Sequence, residues 1–149
     1  MKALLQRVTA AAVSIDGEEV GRIGRGLAVF VGVAAGDSRK DVDYLVQKTT
    51  NIRIFTDEKD RFNLSLVDIG GEMLIVSQFT LLADTRKGRR PSFTDAAPPQ
   101  EAEKLFNLFV EEAMASGLKV ATGRFQQYMQ VEIHNDGPVT VMLDSREKF

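Results

Sequence analysis

The stretch from Gly26 to Val33, Gly-Leu-Ala-Val-Phe-Val-Gly-Val, limits what this chain can fold into more than any other feature. It is apolar without interruption, of strand length, and punctuated by glycine at Gly26 and Gly32. A half-exposed strand alternates apolar and polar residues, whereas a strand with apolar side chains on both faces must be covered on both. The expectation is a central strand in a layered domain.

The flanking segments agree. Ala3 to Ile15 is rich in Val, Leu and Ala, and Asp16-Gly17 is a two-residue hairpin signal before Glu19 to Ile23. After the central strand, Ser38 is placed to cap a helix with Asp41 in the capping-box position, and Val42, Leu45, Val46, Thr49 and Ile52 recur at helical spacing. Arg53-Ile54-Phe55 reads as a short strand entering a polar loop from Thr56 to Asn63, and Glu72 to Ser77 as a fuller strand. Pro98-Pro99 open a second helix whose Glu101 and Glu103 sit at the positive end of its dipole. Ala102, Leu105, Phe106, Phe109, Ala113 and Met114 form its buried stripe, and Gly117 ends it. Three strands follow: Lys119 to Thr122, Met129 to Asn135, and Pro138 to Asp144. The fold class is α/β, a mixed layered sheet domain of order β-β-β-α-β-α-β-β-β. Parallel pairing is expected around the strand-helix-strand units and antiparallel pairing in the terminal hairpins.

At 149 residues the chain is the size of one domain, taken as residues 1–149. No apolar run approaches the roughly 18 residues that a membrane-spanning helix needs. Gln6 and Arg7 interrupt any signal-like core near the start, so a cytoplasmic location is expected. The absence of cysteine excludes disulfides, thiolate metal sites and a cysteine nucleophile, and one histidine, His134, leaves no partner for a histidine-based metal site. Neither a metal nor a cofactor is expected. A net charge of −2 argues against a protein that coats nucleic acid, so DNA is not an expected partner and any RNA contact must be local. The one dense basic cluster is Arg86, Lys87, Arg89 and Arg90 around Gly88, either a solvated loop or a phosphate-neutralising patch.

Two short motifs carry the chemistry. Asn135-Asp136-Gly137-Pro138-Val139-Thr140 puts a Gly-Pro step between two β-branched runs. That step is either a simple hairpin turn or a place for a cis peptide, and Gly137, lacking Cβ, lets main chain lie against a ligand. Ser77-Gln78-Phe79-Thr80-Leu81 follows a strand end and offers hydroxyls and backbone donors. Together, with Leu4-Leu5-Gln6-Arg7-Val8 and the Lys87 to Phe93 stretch in matching order, these motifs resemble the D-aminoacyl-tRNA deacylase family over nearly the whole chain.

The resemblance implies a homodimer that hydrolyses the ester of D-aminoacyl-tRNA, and of glycyl-tRNA mischarged on tRNA-Ala. Each pocket would receive a Gly-cisPro dipeptide, Gly137-Pro138, from the partner subunit, and its carbonyls would face the substrate's α-ammonium and exclude an L side chain. Gln78, Phe79 and Thr80 take the catalytic positions by this resemblance. Ser77, Met129, Gly137 and Pro138 are substrate-binding, Arg7 braces the dipeptide, and Arg86, Lys87, Arg89 and Arg90 meet tRNA. One departure concerns the pocket wall. Where the family usually has Phe-Gly-Ala before a Met-containing strand, this chain has Phe125-Gln126-Gln127-Tyr128-Met129, and the glutamines are expected to narrow or re-polarise the wall.

The residues themselves contain no nucleophile elbow, no P-loop and no carboxylate pair outside polar loops. A Ser/Thr hydrolase needs a base within reach, and His134 reads as an exposed or structurally bonded strand-end histidine. Catalysis by main-chain N–H groups, assisted by the substrate's vicinal ribose hydroxyl, is the favoured mechanism, with Thr80 a positioning residue. The alternatives are a non-catalytic tRNA- or RNA-binding dimer that uses Arg86 to Arg90, and a conventional Thr/His esterase. Against the first, the aromatic residues read as core, with no exposed stacking platform.

Overall fold

A computed structural model describes residues 1–147. In chain order it contains β1 (Lys2–Ile15), β2 (Glu18–Ile23), β3 (Gly26–Gly32), α1 (Arg39–Asn51), β4 (Phe55–Thr56), β5 (Phe62–Leu64), α2 (Leu66–Ile69), β6 (Glu72–Ser77), a 3₁₀ turn (Phe79–Leu82), α3 (Pro99–Ala115), β7 (Lys119–Thr122) and β8 (Gln130–Asp144), with a last 3₁₀ turn at Ser145–Glu147. The β1–β2 hairpin closes through Asp16 and Gly17, whose φ values of 51° and 80° are the left-handed pair a two-residue turn requires. In α1 the Asp41 carboxylate accepts the Ser38 N–H at 2.9 Å, completing the cap that the spacing predicts.

One mixed six-stranded sheet runs in the order β2-β1-β3-β6-β7, with β8 along the other side of β1. β3 is antiparallel to β1 and parallel to β6, and β6 is parallel to β7. All seven residues of β3 are buried. Its alternation feeds two cores. Leu27, Val29 and Val31 face a layer built by α1 and α3 through Val42, Leu45, Phe106 and Phe109. Ala28 and Phe30 point the other way, into a cluster with Val8, Val13, Ile23, Leu74 and Val76 that the curled sheet encloses. The curl brings Gly21 of β2 against Ala121 and Thr122 of β7. The central position expected for Gly26 to Val33 therefore holds, and so does the mixed α/β class.

Three expectations need correction. The polar stretch from Thr56 to Asn63 is not all loop, because β5 begins at Phe62 and folds back on β4 as a small antiparallel pair, followed by the one-turn helix α2. The last two expected strands are one continuous strand, β8, with Gly137-Pro138 inside it; no hairpin turn forms there. Both halves of β8 pair with β1, which is long enough to serve as a common template. Met114 does not belong to the buried stripe of α3: it is 56% exposed while its neighbour Ala113 is fully buried. Successive helix positions differ by about 100°, so only one of the two can face the sheet.

Candidate active site

β6 ends at Ser77, and the chain then turns back over the end of β3. The Gln78 N–H donates to the Val31 carbonyl at 2.8 Å, which ties the start of the 3₁₀ turn to the central strand. Gly32 lies directly beneath. A Cβ there would sit 3.0 Å from the Gln78 carbonyl oxygen and 2.5 Å from Leu82 Cδ2, so only glycine admits so close an approach. The amides of Phe79 and Thr80 open the turn, and the first N–H groups of a helical turn lack intrahelical acceptors. Among the described residues neither has another acceptor. The Gln78 Nε2 donates to Thr80 Oγ1, which fixes the hydroxyl against its own turn.

Beside this turn runs a groove of about 1040 Å³. Its walls include Ser77, Gln78 and Phe79 from the turn, Phe93 and Thr94 from the segment before α3, and Phe125 to Met129 from the loop before β8. Among the described residues, no Asp, Glu, Lys, Arg or His lines it. Met129 also packs on the enclosed core and Phe125 lies 6.2 Å from Phe106, so the loop carrying Gln126, Gln127 and Tyr128 is anchored at both ends. Gln126 has φ 61°, a left-handed conformation that costs an L residue about 1–2 kcal/mol. The departure in sequence thus falls on the groove wall, at a position whose backbone suits glycine.

The second motif lies elsewhere. β1 and β8 are in register from Ala10↔His134 to Ser14↔Gln130 and again from Lys2↔Asp144 to Gln6↔Thr140. Between the Gln6↔Thr140 and Val8↔Asn135 pairs, Asp136 to Val139 swing out opposite Arg7 alone. The flanking Asn135 and Thr140 close this excursion, with Asn135 Oδ1 accepting the Val139 N–H at 3.1 Å and Asn135 Nδ2 donating to Thr140 Oγ1 at 3.1 Å. The Gly137-Pro138 peptide is cis, and Gly137 has φ 128°.

Arg7 holds the excursion from behind. Its guanidinium is almost buried, donating through Nε to the Asp136 carbonyl at 3.0 Å and through Nη1 to the Ile54 carbonyl at 2.9 Å. The Phe62 ring covers it, with Cζ 5.4 Å from the ring centroid. A Cβ on Gly137 would lie 3.0 Å from Arg7 Nη2. Arg7 Nε also lies 3.5 Å from the half-exposed Asp136 carboxylate, so the guanidinium meets both the main chain and the acid of this segment.

The structure brings Ser77, Gln78, Phe79 and Met129 to one groove, but Thr80, Arg7, Gly137 and Pro138 do not line it in the same chain. The basic cluster occupies a loop pinched at its base by paired Asp84 and Ser92, whose amides exchange bonds of 2.8 and 2.9 Å. Arg86 folds back on Asp84 in a bidentate pair at 2.9 and 2.8 Å, and this contact holds the Asp84 carboxyl down from 3.8 to about 2. Lys87, Arg89 and Arg90 are exposed. Asp84 and Arg86 also line a second hollow of about 520 Å³, together with Lys2, Asp95, Asp144 and Arg146. His134 meets Glu132 at 2.9 Å on the exposed face of β8, and its proximity lowers the Glu132 pKa. Neither lines the groove. Among the described residues no three His, Asp or Glu side chains converge.

Composition missed the aromatics. Tyr128 is 96% exposed and Phe79 57%, and Phe79 meets Phe93 edge-on at 5.0 Å, so an exposed aromatic rim exists where none was expected. Phe62 was missed as the cover of Arg7. No periodicity marks these residues, because each lies in an irregular loop, a single 3₁₀ turn or a three-residue strand.

A family model described as D-Tyr-tRNA(Tyr) deacylase matches residues 4–144. A D-aminoacyl-tRNA deacylase of Dehalococcoides mccartyi is 57% identical over 149 residues, covering 100% of this chain and 97% of that protein. Another, from Caldicellulosiruptor bescii, is 55% identical with 100% of both chains covered. Among solved structures, the c-Myc DNA Unwinding Element Binding Protein superposes with a TM-score of 0.91 at 42% identity, over 97% of this chain and 98% of that one. A probable eukaryotic D-amino acid tRNA deacylase shares the fold with a TM-score of 0.83 at 20% identity, over 95% and 97%. With sequence and fold matching along nearly its whole length, the chain belongs to the D-Tyr-tRNA(Tyr) deacylase family.

Proposed function

We propose that this chain hydrolyses the ester bond of D-aminoacyl-tRNA, releasing free amino acid and tRNA, by main-chain and substrate-assisted catalysis in the groove beside the Phe79–Leu82 turn. As a member of the deacylase family it is an enzyme, a hydrolase. The observation that carries the mechanism is a groove with no titratable side chain other than a tyrosine, next to two unengaged amides on Phe79 and Thr80. An aminoacyl ester is already activated, so orientation, exclusion of bulk water and donors for the developing oxyanion supply much of the rate. Gln78 positions Thr80, Ser77 and Met129 border the bound ester, and the ribose hydroxyl next to the ester takes the part of the missing base.

The chirality filter in this reading is the Gly137-Pro138 excursion of a second copy, braced by that copy's own Arg7. Each groove is then completed across a homodimer, which accounts for the separation of the two motifs within one chain. Rejection is steric, so glycine, which has no side chain to collide, is hydrolysed as well, including when mischarged on tRNA-Ala. Residues 1–149 act as one deacylase-like unit, cytoplasmic, with Lys87, Arg89 and Arg90 meeting tRNA phosphates and Arg86 partly committed to Asp84. Side-by-side deacylation of D-alanyl-, D-tyrosyl-, glycyl- and L-alanyl-tRNA tests this. Loss of the D and glycyl esters with survival of the L ester is expected, and resistance of the glycyl ester alone would replace exclusion by side-chain recognition.

A second reading, a non-catalytic RNA-binding dimer, draws on the exposed Phe79 and Tyr128 rings. Survival of every ester in the same assay would favour it.

A further inference from the structure

Tyr128 exposes nearly all of its surface, 96%, and its surroundings fix that exposure. Phe125 on one side is packed toward Phe106, and Met129 on the other is packed into the enclosed core. Between these two anchors the backbone turns through the left-handed Gln126, so the tyrosine ring is presented outward at the groove mouth by a loop that has little freedom to withdraw it. Phe79 and Phe93, in edge contact with each other, line the same groove, and the chain leads from Phe93 back into the loop carrying Lys87, Arg89 and Arg90. Among the described residues, none with a charged side chain lines the groove itself. An occupant that brings an aromatic ring and no anionic group into the groove but is anionic beyond it fits this distribution.

The esterified end of an RNA has that character. A groove of about 1040 Å³ has ample room for an aminoacylated nucleoside, and Tyr128 at its mouth stands where the preceding nucleotide would leave it. We propose that Tyr128 is a stacking platform for the unpaired nucleotide preceding the esterified one, and that the strand then continues toward the Lys87–Arg90 loop. The assignment rests on the deacylase reading above. Stacking on an aromatic ring tolerates any base and needs the ring face, not the phenolic hydroxyl.

The test compares wild type, Tyr128→Ala and Tyr128→Phe on three D-alanyl esters: of adenosine, of cytidylyl-adenosine, and of full tRNA. Tyr128→Ala is expected to raise KM for the dinucleotide ester and for tRNA by about 5-fold to 150-fold, the range of one base–aromatic stack. It should leave kcat, and all constants for the adenosine ester, unchanged. Tyr128→Phe is expected to behave as wild type. Unchanged KM on the two longer esters overturns the proposal, as does an equal loss on the adenosine ester, which would put Tyr128 in the ester pocket itself. Wild-type protein that hydrolyses none of the three esters overturns the deacylase reading instead, and the stacking assignment with it.

Discussion

The turn after β6 and the excursion within β8 both offer main chain to solvent, yet they are held by opposite means. The turn rests on volume: it is seated over Gly32, tied by one bond to Val31, and bordered by a groove with no charge in its walls. The excursion rests on charge. A single guanidinium, nearly buried, reaches both the Asp136 and Ile54 carbonyls and is roofed by Phe62. Added bulk should therefore damage the first and lost charge the second.

The largest effect is expected at Arg7. Arg7→Met keeps the bulk of the side chain and removes two charge-assisted hydrogen bonds, leaving two carbonyls without their donor, for a destabilisation of about 3 kcal/mol. Urea unfolding reads this directly, and D-alanyl-tRNA hydrolysis should fall by roughly 100-fold if that energy holds the excursion in place. A variant as stable as wild type would break the contrast between the two regions. Gly32→Ala comes next, with a cost of about 1–3 kcal/mol from overpacking against the Gln78 carbonyl and a lower kcat as the two amides shift. Full activity in this variant would mean the turn is not held by volume.

Smaller effects sharpen the comparison. Thr80→Ala should lower kcat by less than about 10-fold and His134→Ala should do nothing measurable, since neither lines the groove; losses above about 100-fold in either would reinstate side-chain acid–base or nucleophilic catalysis. Gln126→Gly should stabilise by about 1 kcal/mol, seen as a raised urea midpoint, because the left-handed backbone no longer carries a Cβ. The smallest effect concerns the loop base. Asp84 has a carboxyl held at about 2 by Arg86, so the pair contributes fully above the ordinary value of 3.8 and is lost as pH falls through about 2. The carboxyl carbon shift of Asp84 should titrate near that lower value, and a midpoint near 3.8 would show that the Arg86 contact does not persist in solution.

How much of this was legible in the sequence depended on distance along the chain. β3, the Asp16-Gly17 hairpin and the stripe of α1 announce themselves within a dozen residues, through period and turn chemistry. β4, β5 and α2 are two to four residues long and carry no period to read. Gly137-Pro138 punctuates locally, but β1 overrides it by pairing with both flanks from well over 100 positions away. The candidate site divided the same way. Its motifs were readable as strings, whereas the roof over Arg7 and the aromatic rim arise only when remote loops meet. Resemblance supplied the roles of Gln78, Thr80, Arg7, Gly137 and Pro138; no spacing in the chain would have done so.

The excursion in β8 also sets a rule about length. From Ala10 to Gln6 β1 runs back four residues, while from His134 to Thr140 β8 advances six, a surplus of two. Side chains alternate with a period of two, and each half of β8 is committed to its own core: Val131 and Ile133 before the excursion pack on the enclosed cluster, whereas Val139, Val141 and Leu143 after it pack on the helix-covered one. Their β1 partners divide the same way, Ala11 and Val13 in the first core, Ala3 and Leu5 in the second. Insertion or deletion of one residue between Asn135 and Thr140 would turn the second group away from its core, or force the first to do so. A change of two would not. The segment that carries Gly137-Pro138 can therefore lengthen or shorten only in pairs, so sequences that share this sheet should differ there by zero or two residues, never by one.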